Sequence, residues 1–144
     1  MSTLPKQTNA VILHEGFGMT YGQFDLPALG AGDVLVKIHS SVVNPSDVGF
    51  ITGVYAQTGI FPTVPGFEAS GKVVAAGADA HAQSLVGKNV TFFAKGDKLG
   101  GWAEYAVASS RRVMPLPGNL TLEQGATCLI NPLTAQGFIE ISKE

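Results

Sequence analysis

Cysteine is almost absent from this sequence. The 144 residues include one cysteine, Cys128, so the chain can form neither an internal disulfide nor a zinc cluster built from several cysteines. Few and unpaired cysteines are typical of proteins from reducing compartments. The sequence therefore predicts a cytoplasmic protein.

Charged residues are also scarce. They make up 14% of the chain, the net charge is −2, and the nine Lys and Arg residues are scattered except for the adjacent pair Arg111 and Arg112. A surface that follows a nucleic-acid backbone needs clustered basic residues. The composition indicates no nucleic-acid partner, and so few charges favour a surface that is partly covered by another domain.

Long apolar runs are missing as well. A membrane span needs about 20 consecutive apolar residues, and a secretory signal needs an apolar core after a basic start. Neither pattern occurs in the sequence. We expect no membrane partner.

The chain does contain enough apolar residues, 45% of the total, for one folded domain. Valine, isoleucine and aromatic residues recur in short segments that glycine or proline interrupts, which is typical of strands. The predicted strands are residues 9–13, 21–26, 33–40, 69–75, 89–94 and 103–108. Residues 53–66 contain glycine and proline without a period and are predicted to be an exposed loop.

Helices are predicted at two places. Asn44 can cap a short helix that Pro45 opens and that continues to residue 52. Thr121 and Gln124 have the spacing of a capping box, so a helix is predicted to start there and to continue through residues 126–130, with a second helix over 133–141. Many short strands followed by helices predict a mainly β, barrel-like domain with a helical exit.

Six short motifs carry a family resemblance. They are NPSD (44–47), GVY (53–55), PGFEASGKV (65–73), GKNV (87–90), GWAEY (101–105) and NPLTA (131–135). In this order they resemble the catalytic domain of the medium-chain dehydrogenase/reductase superfamily. The resemblance implies a partly open, GroES-like β-barrel.

Two positions depart from the zinc-dependent members of that superfamily. Those members have cysteine where this chain has Asn44 and histidine where it has Phe67, and neither replacement is a good zinc ligand. The resemblance therefore implies the zinc-independent branch, which includes quinone oxidoreductases and 2-enoyl thioester reductases. No zinc and no other metal site is expected.

The resemblance further implies hydride transfer from NADPH to a small carbonyl substrate, with Tyr55 and Asn44 as catalytic residues. A phenol can donate a proton or a hydrogen bond, and an amide can donate an N–H without carrying charge. Asn44 and Thr134 are the expected contacts to the cofactor. The alternatives are that Tyr55 is only an exposed loop aromatic, that Asn44 is only a helix cap, and that Thr134 bonds back to its own helical turn.

Two carboxylates near these residues are predicted to be structural. Asp47 lies near the start of the predicted helix, and Glu68 is expected to hold backbone or a charged partner.

A glycine-rich phosphate loop of the form GxGxxG is missing from the sequence. We therefore interpret residues 1–125 as a GroES-like catalytic domain and residues 126–144 as the start of the connection to a nucleotide-binding domain that this chain does not contain. The apolar residues of 126–141 could then support a homo-oligomer. The alternative is a non-enzymatic GroES-like binding or assembly module.

Overall fold

Strands make up most of the regular structure of the chain. A computed structural model describes residues 4–55, 60–94 and 99–143. Its strands are β1 (Gln7–Leu13), β2 (Met19–Asp25), β3 (Asp33–Ser41), β4 (Glu68–Ala76), β5 (Asn89–Phe93), β6 (Tyr105–Ser109) and β7 (Val113–Pro115). All six predicted strands are confirmed, with ends shifted by a few residues. The three residues of β7 were not predicted.

The helices are short, apart from the last one. They are α1 (Pro45–Ile51), α2 (Ala80–Ser84), α3 (Leu122–Gly125) and α4 (Ile130–Ile141), with a 3₁₀ turn at Ser110–Arg112. Helix α2 was not predicted. It begins where the Asp79 carboxylate accepts the N–H groups of His81 and Ala82. The capping box of α3 is confirmed, because Thr121 and Gln124 exchange side-chain and backbone hydrogen bonds of 2.9 and 3.2 Å.

The described strands form two antiparallel sheets. β1 and β2 form a hairpin, and the five remaining strands are ordered β6-β3-β4-β5-β7. The mainly β class is therefore confirmed. Within the described residues β6 and β7 end the larger sheet, so the strands do not close into a ring.

The main core lies against the larger sheet. Val34 and Val36 of β3 are fully buried there, with Val73, Val90 and Phe92 from the neighbouring strands. Leu35 is buried as well as its neighbours Val34 and Val36, and the pairing of β3 with β4 shifts register between Leu35 and Val36.

The prediction of an exposed loop at 53–66 is wrong for its second half. Thr63, Val64 and Pro65 are buried. Thr63 exchanges backbone hydrogen bonds of 2.7 and 3.0 Å with Leu13, and Val64 accepts the N–H of Gly100 at 2.8 Å. Pairing with distant segments therefore brings this glycine- and proline-containing stretch into the core. Residues 56–59 lie outside the described chain.

The prediction of helix through residues 126–130 is also wrong. Helix α3 ends at Gly125, and α4 begins at Ile130, so Asn131 and Pro132 lie in its first turn rather than before it. Proline is tolerated there because the first N–H groups of a helix have no partner within the helix. Among the described residues, no helix has the length and apolar character needed to cross a membrane.

Candidate functional site

Asn44 lies where β3 passes into α1, and it is buried, with 9% of its surface exposed. It is the N-cap residue of α1, as predicted. Its backbone N–H donates to Oδ2 of Asp47 at 2.7 Å, and its side-chain nitrogen faces Oε2 of Glu68 at 3.4 Å. Asn44 therefore caps α1 and also lies between the carboxylates of Asp47 and Glu68.

Glu68 is the first residue of β4, and its side chain is completely buried. Its Oε1 accepts the backbone N–H groups of Leu129 at 2.7 Å and Ile130 at 3.0 Å, at the start of α4. The prediction that Glu68 holds backbone is confirmed. The residues that it holds, about sixty positions away, could not be identified from the sequence.

Asp47 is also fully buried. Its Oδ1 accepts the backbone N–H of Phe67 at 2.9 Å, while its Oδ2 accepts the N–H of Asn44. The predicted structural role at the start of α1 is confirmed. Asp47 additionally connects this helix to the segment that enters β4.

Tyr55 belongs to an aromatic cluster centred on Phe67. Its ring packs edge-on to Phe67 with centroids 6.2 Å apart, and Phe50 and Phe93 contact the same ring with centroid distances of 5.5 and 6.2 Å. Tyr55 is 54% exposed, whereas Phe67 is buried. The phenol is thus accessible to a ligand while its ring rests on a fixed apolar support.

The turn before Phe67 depends on a close approach of two backbones. Gly66 has a φ of +100°, and a Cβ at this position would lie 2.8 Å from the backbone nitrogen of Trp102. The indole nitrogen of Trp102 in turn donates to the carbonyl of Val42 at 3.0 Å. Glycine is therefore required at residue 66. Trp102 contacts both Gly66, next to Phe67, and Val42, two residues before Asn44.

Thr134 is exposed on α4, and its hydroxyl donates to the carbonyl of Ile130 at 2.7 Å. This is the backward hydrogen bond that was one of the two sequence-based alternatives. Thr134 is nevertheless connected to Asn44, because the N–H of Ile130 donates to Glu68 and Glu68 faces the Asn44 amide.

An apolar cleft opens beside the aromatic cluster. Phe93 belongs to both, and Leu129, Ile130 and Leu133 from the region of α4 line the cleft. Met114, Arg111 and Arg112 complete it. Such a surface can contact an apolar ligand.

Metal ligands are not grouped within the described ranges. No set of three or more His, Cys, Asp and Glu side chains in residues 4–55, 60–94 and 99–143 could hold a metal ion. His39, for example, pairs with Glu123 at 3.7 Å on the surface. Asn44 and Phe67 occupy the two positions at which the family resemblance places zinc ligands in the zinc-dependent members. Here they are an amide and a buried phenyl ring.

The chain is similar to proteins of a known family. Residues 30–118 match the model of the alcohol dehydrogenase GroES-like domain. The mitochondrial enoyl-[acyl-carrier-protein] reductase of Caenorhabditis elegans is 35% identical over 106 residues, which are 74% of this chain and 30% of that protein. The quinone oxidoreductase of Homo sapiens is 35% identical over 109 residues, 71% of this chain and 30% of its own length. The chain thus spans about 30% of the length of these relatives.

Solved structures have the same fold. A protein from Mesorhizobium loti named as an NADPH:quinone reductase superposes with a TM-score of 0.88 at 36% identity, over 99% of this chain and 46% of that one. A mycobacterial protein solved in complex with NADPH gives a TM-score of 0.78 at 28% identity, over 92% of this chain and 41% of that one.

Proposed function

Because this chain belongs to the alcohol dehydrogenase GroES-like domain family of the medium-chain dehydrogenase/reductase superfamily, we propose that it is the catalytic domain of a zinc-independent, NADPH-dependent oxidoreductase. The substrate is a quinone, an enone or a 2-enoyl thioester. Residues 1–125 form the substrate side, and residues 126–144 lead to the domain that binds the nucleotide. The names of the curated relatives and of the two solved structures support this class of reaction.

The observation that carries the proposal is that an exposed phenol and a buried amide are both connected to Phe67 and Asp47. Tyr55 rests on Phe67, and the N–H of Phe67 is bound by the same Asp47 carboxylate that binds the backbone of Asn44. Both groups are uncharged hydrogen-bond donors. A conjugated carbonyl that accepts hydride at its β-carbon develops negative charge on oxygen, and such donors stabilise that charge.

The cofactor fits the donors of this chain only in part. Asn44 and Thr134 carry an amide and a hydroxyl suited to a nicotinamide carboxamide, whereas the sequence has no GxGxxG loop for the pyrophosphate. When bound, NADPH would supply the hydride. The roles of the chain itself are to orient the carbonyl through Asn44 and to donate a hydrogen bond or a proton from the Tyr55 hydroxyl.

The direct test is NADPH titration by fluorescence, on this chain and on the longest protein that its gene encodes. We expect the longer protein to bind NADPH and to oxidise it with enone or quinone acceptors. Zinc content should be substoichiometric in the active protein. If the longest protein neither binds NADPH nor oxidises it, a non-enzymatic binding module replaces the proposal.

Tyr55→Phe tests the catalytic phenol. Loss of a general acid typically lowers kcat by about 10²- to 10⁴-fold, and the ring should still pack on Phe67. Tyr21→Phe is the matched control, because Tyr21 is 71% exposed on β2 of the β1–β2 hairpin. Equal activities of the two variants would remove Tyr55 from the mechanism.

A further inference from the structure

We propose that Glu68 is a positioning residue that sets the orientation of the Asn44 amide and connects it to the helix bearing Thr134. The proposal rests on the proposed function, since it concerns the group that Asn44 offers to substrate or nicotinamide. It deepens that function by assigning a role to a residue that touches neither.

The orientation of the Asn44 amide follows from the chemistry of its neighbour. Glu68 is completely buried, and both of its oxygens face nitrogen donors: Leu129 and Ile130 at Oε1, and Asn44 at Oε2. The Asn44 atom that faces Oε2 is the side-chain nitrogen, for which a carboxylate oxygen is an acceptor. One N–H of the amide is thereby directed to Glu68, which leaves its second N–H for a ligand.

Asn44 is held from a second side by Asp47. The Asn44 backbone N–H donates to Asp47 at 2.7 Å, and the two residues have the arrangement of a capping box. Because only 9% of Asn44 is exposed, little of the amide can reach a ligand. A small rotation of this amide would remove the N–H from the site.

The same carboxylate determines where α4 begins. Leu129 and Ile130 donate the N–H groups that precede the helical hydrogen bonds, and a negative charge is favoured at this end of a helix. Thr134 is bound to the carbonyl of Ile130 one turn later. Asn44 and Thr134, the two predicted cofactor contacts, therefore both depend on Glu68.

This geometry predicts an unusual pattern of substitutions. Glu68→Gln has one oxygen for two groups of donors, so its NH₂ must face either Asn44 or the start of α4. Asn44→Asp places a second carboxylate against Glu68. In the double variant N44D/E68Q the glutamine oxygen can accept from Leu129 and Ile130 while its NH₂ donates to Asp at residue 44, so every buried group has a partner again.

The experiment is a double-mutant cycle on the longest protein that the gene encodes. Urea unfolding gives the folding equilibrium constant, and steady-state kinetics give kcat and KM. Asn44→Asp should lower the folding constant by about tenfold or more, since it places two carboxylates against each other. Glu68→Gln should lower it less, because the Asn44 amide can turn its oxygen toward the glutamine NH₂. The double variant should recover most of the loss caused by Asn44→Asp and yet keep a low kcat, because an aspartate at residue 44 has no N–H to offer.

The exposed pair Asn9 and Glu104 is the matched control, with the same two side chains 3.2 Å apart at the surface. N9D/E104Q and its single variants should change the folding constant little. Additive losses in the Asn44–Glu68 cycle would overturn the proposed pairing, and full recovery of kcat in N44D/E68Q would overturn the role of the Asn44 N–H. If the wild-type protein itself has no activity, the proposed function fails, while the stability cycle still decides whether Glu68 orients Asn44.

Discussion

The carboxylate of Asp47 accepts the backbone N–H of Phe67 at 2.9 Å, although the two residues are twenty positions apart. The other oxygen of the same carboxylate accepts the N–H of Asn44. Asp47 thus joins the start of α1 to the residue before β4. The relative position of Asn44 and Glu68, and of Tyr55 over Phe67, depends on this connection.

Asp47→Asn is expected to lower the free energy of unfolding by about 1.5–3 kcal/mol, because an amide has one acceptor oxygen for two buried N–H donors. Urea unfolding measures the loss. Asp79→Asn is the control, since Asp79 caps α2 at the surface and asparagine caps helices equally well. Equal losses in the two variants would show that burial of the Asp47 bonds contributes nothing.

Gly71→Ala tests the close pairing of β3 and β4. A Cβ at residue 71 would press on the carbonyl of Lys37 and lie 2.9 Å from the Cα of Ile38. We expect a loss of about 1–3 kcal/mol, the usual cost of overpacking. Gly22→Ala on β2 meets open space and should be neutral or slightly stabilising. If Gly71→Ala left the free energy of unfolding unchanged, β3 and β4 would have to move apart at little cost.

The pH dependence of stability should include a contribution from Glu123. Its own backbone N–H and the Thr121 hydroxyl, with a smaller effect from His39, lower the pKa of Glu123 from the ordinary 4.5. A pKa that is lower in the folded state stabilises the fold above pH 4.5, and that stabilisation is lost as the pH falls through the folded-state pKa.

Glu123→Gln should therefore differ most from wild type near neutral pH, and the difference should shrink as the pH falls through the folded-state pKa of Glu123. Urea midpoints measured across this range provide the comparison, and NMR titration of the Glu123 carboxyl gives its pKa directly. A difference that stays constant with pH would contradict the assignment.

Helix α4 is expected to mediate self-association of this chain. None of its residues is buried, and its apolar side chains are largely exposed: Leu133, Phe138, Ile139 and Ile141. Phe138→Glu should weaken association by about tenfold if this surface is the contact, whereas Tyr21→Glu on β2 should not. Sedimentation over a wide concentration range measures both, and a monomeric wild-type chain throughout would refute the expectation.

The family and much of the fold were accessible from the sequence. The ordered motifs predicted the superfamily that the match over residues 30–118 confirms. The strand-forming segments and the Thr121–Gln124 capping box were predicted correctly because both depend on residues close together in the chain. The roles of Tyr55, Asn44 and Thr134 and the cytoplasmic location stay predictions.

Only the tertiary structure decided how the site is assembled. Glu68 was identifiable as structural, but its contacts with Asn44 and with the start of α4 join residues 24 and 61 positions apart. The same contacts explain why α4 begins at Ile130, and pairing with Leu13 explains why Thr63 is buried within a segment predicted to be a loop. Capping and alternation act over a few residues and leave a local pattern, whereas a buried carboxylate takes its partners from whichever segments the fold brings to it.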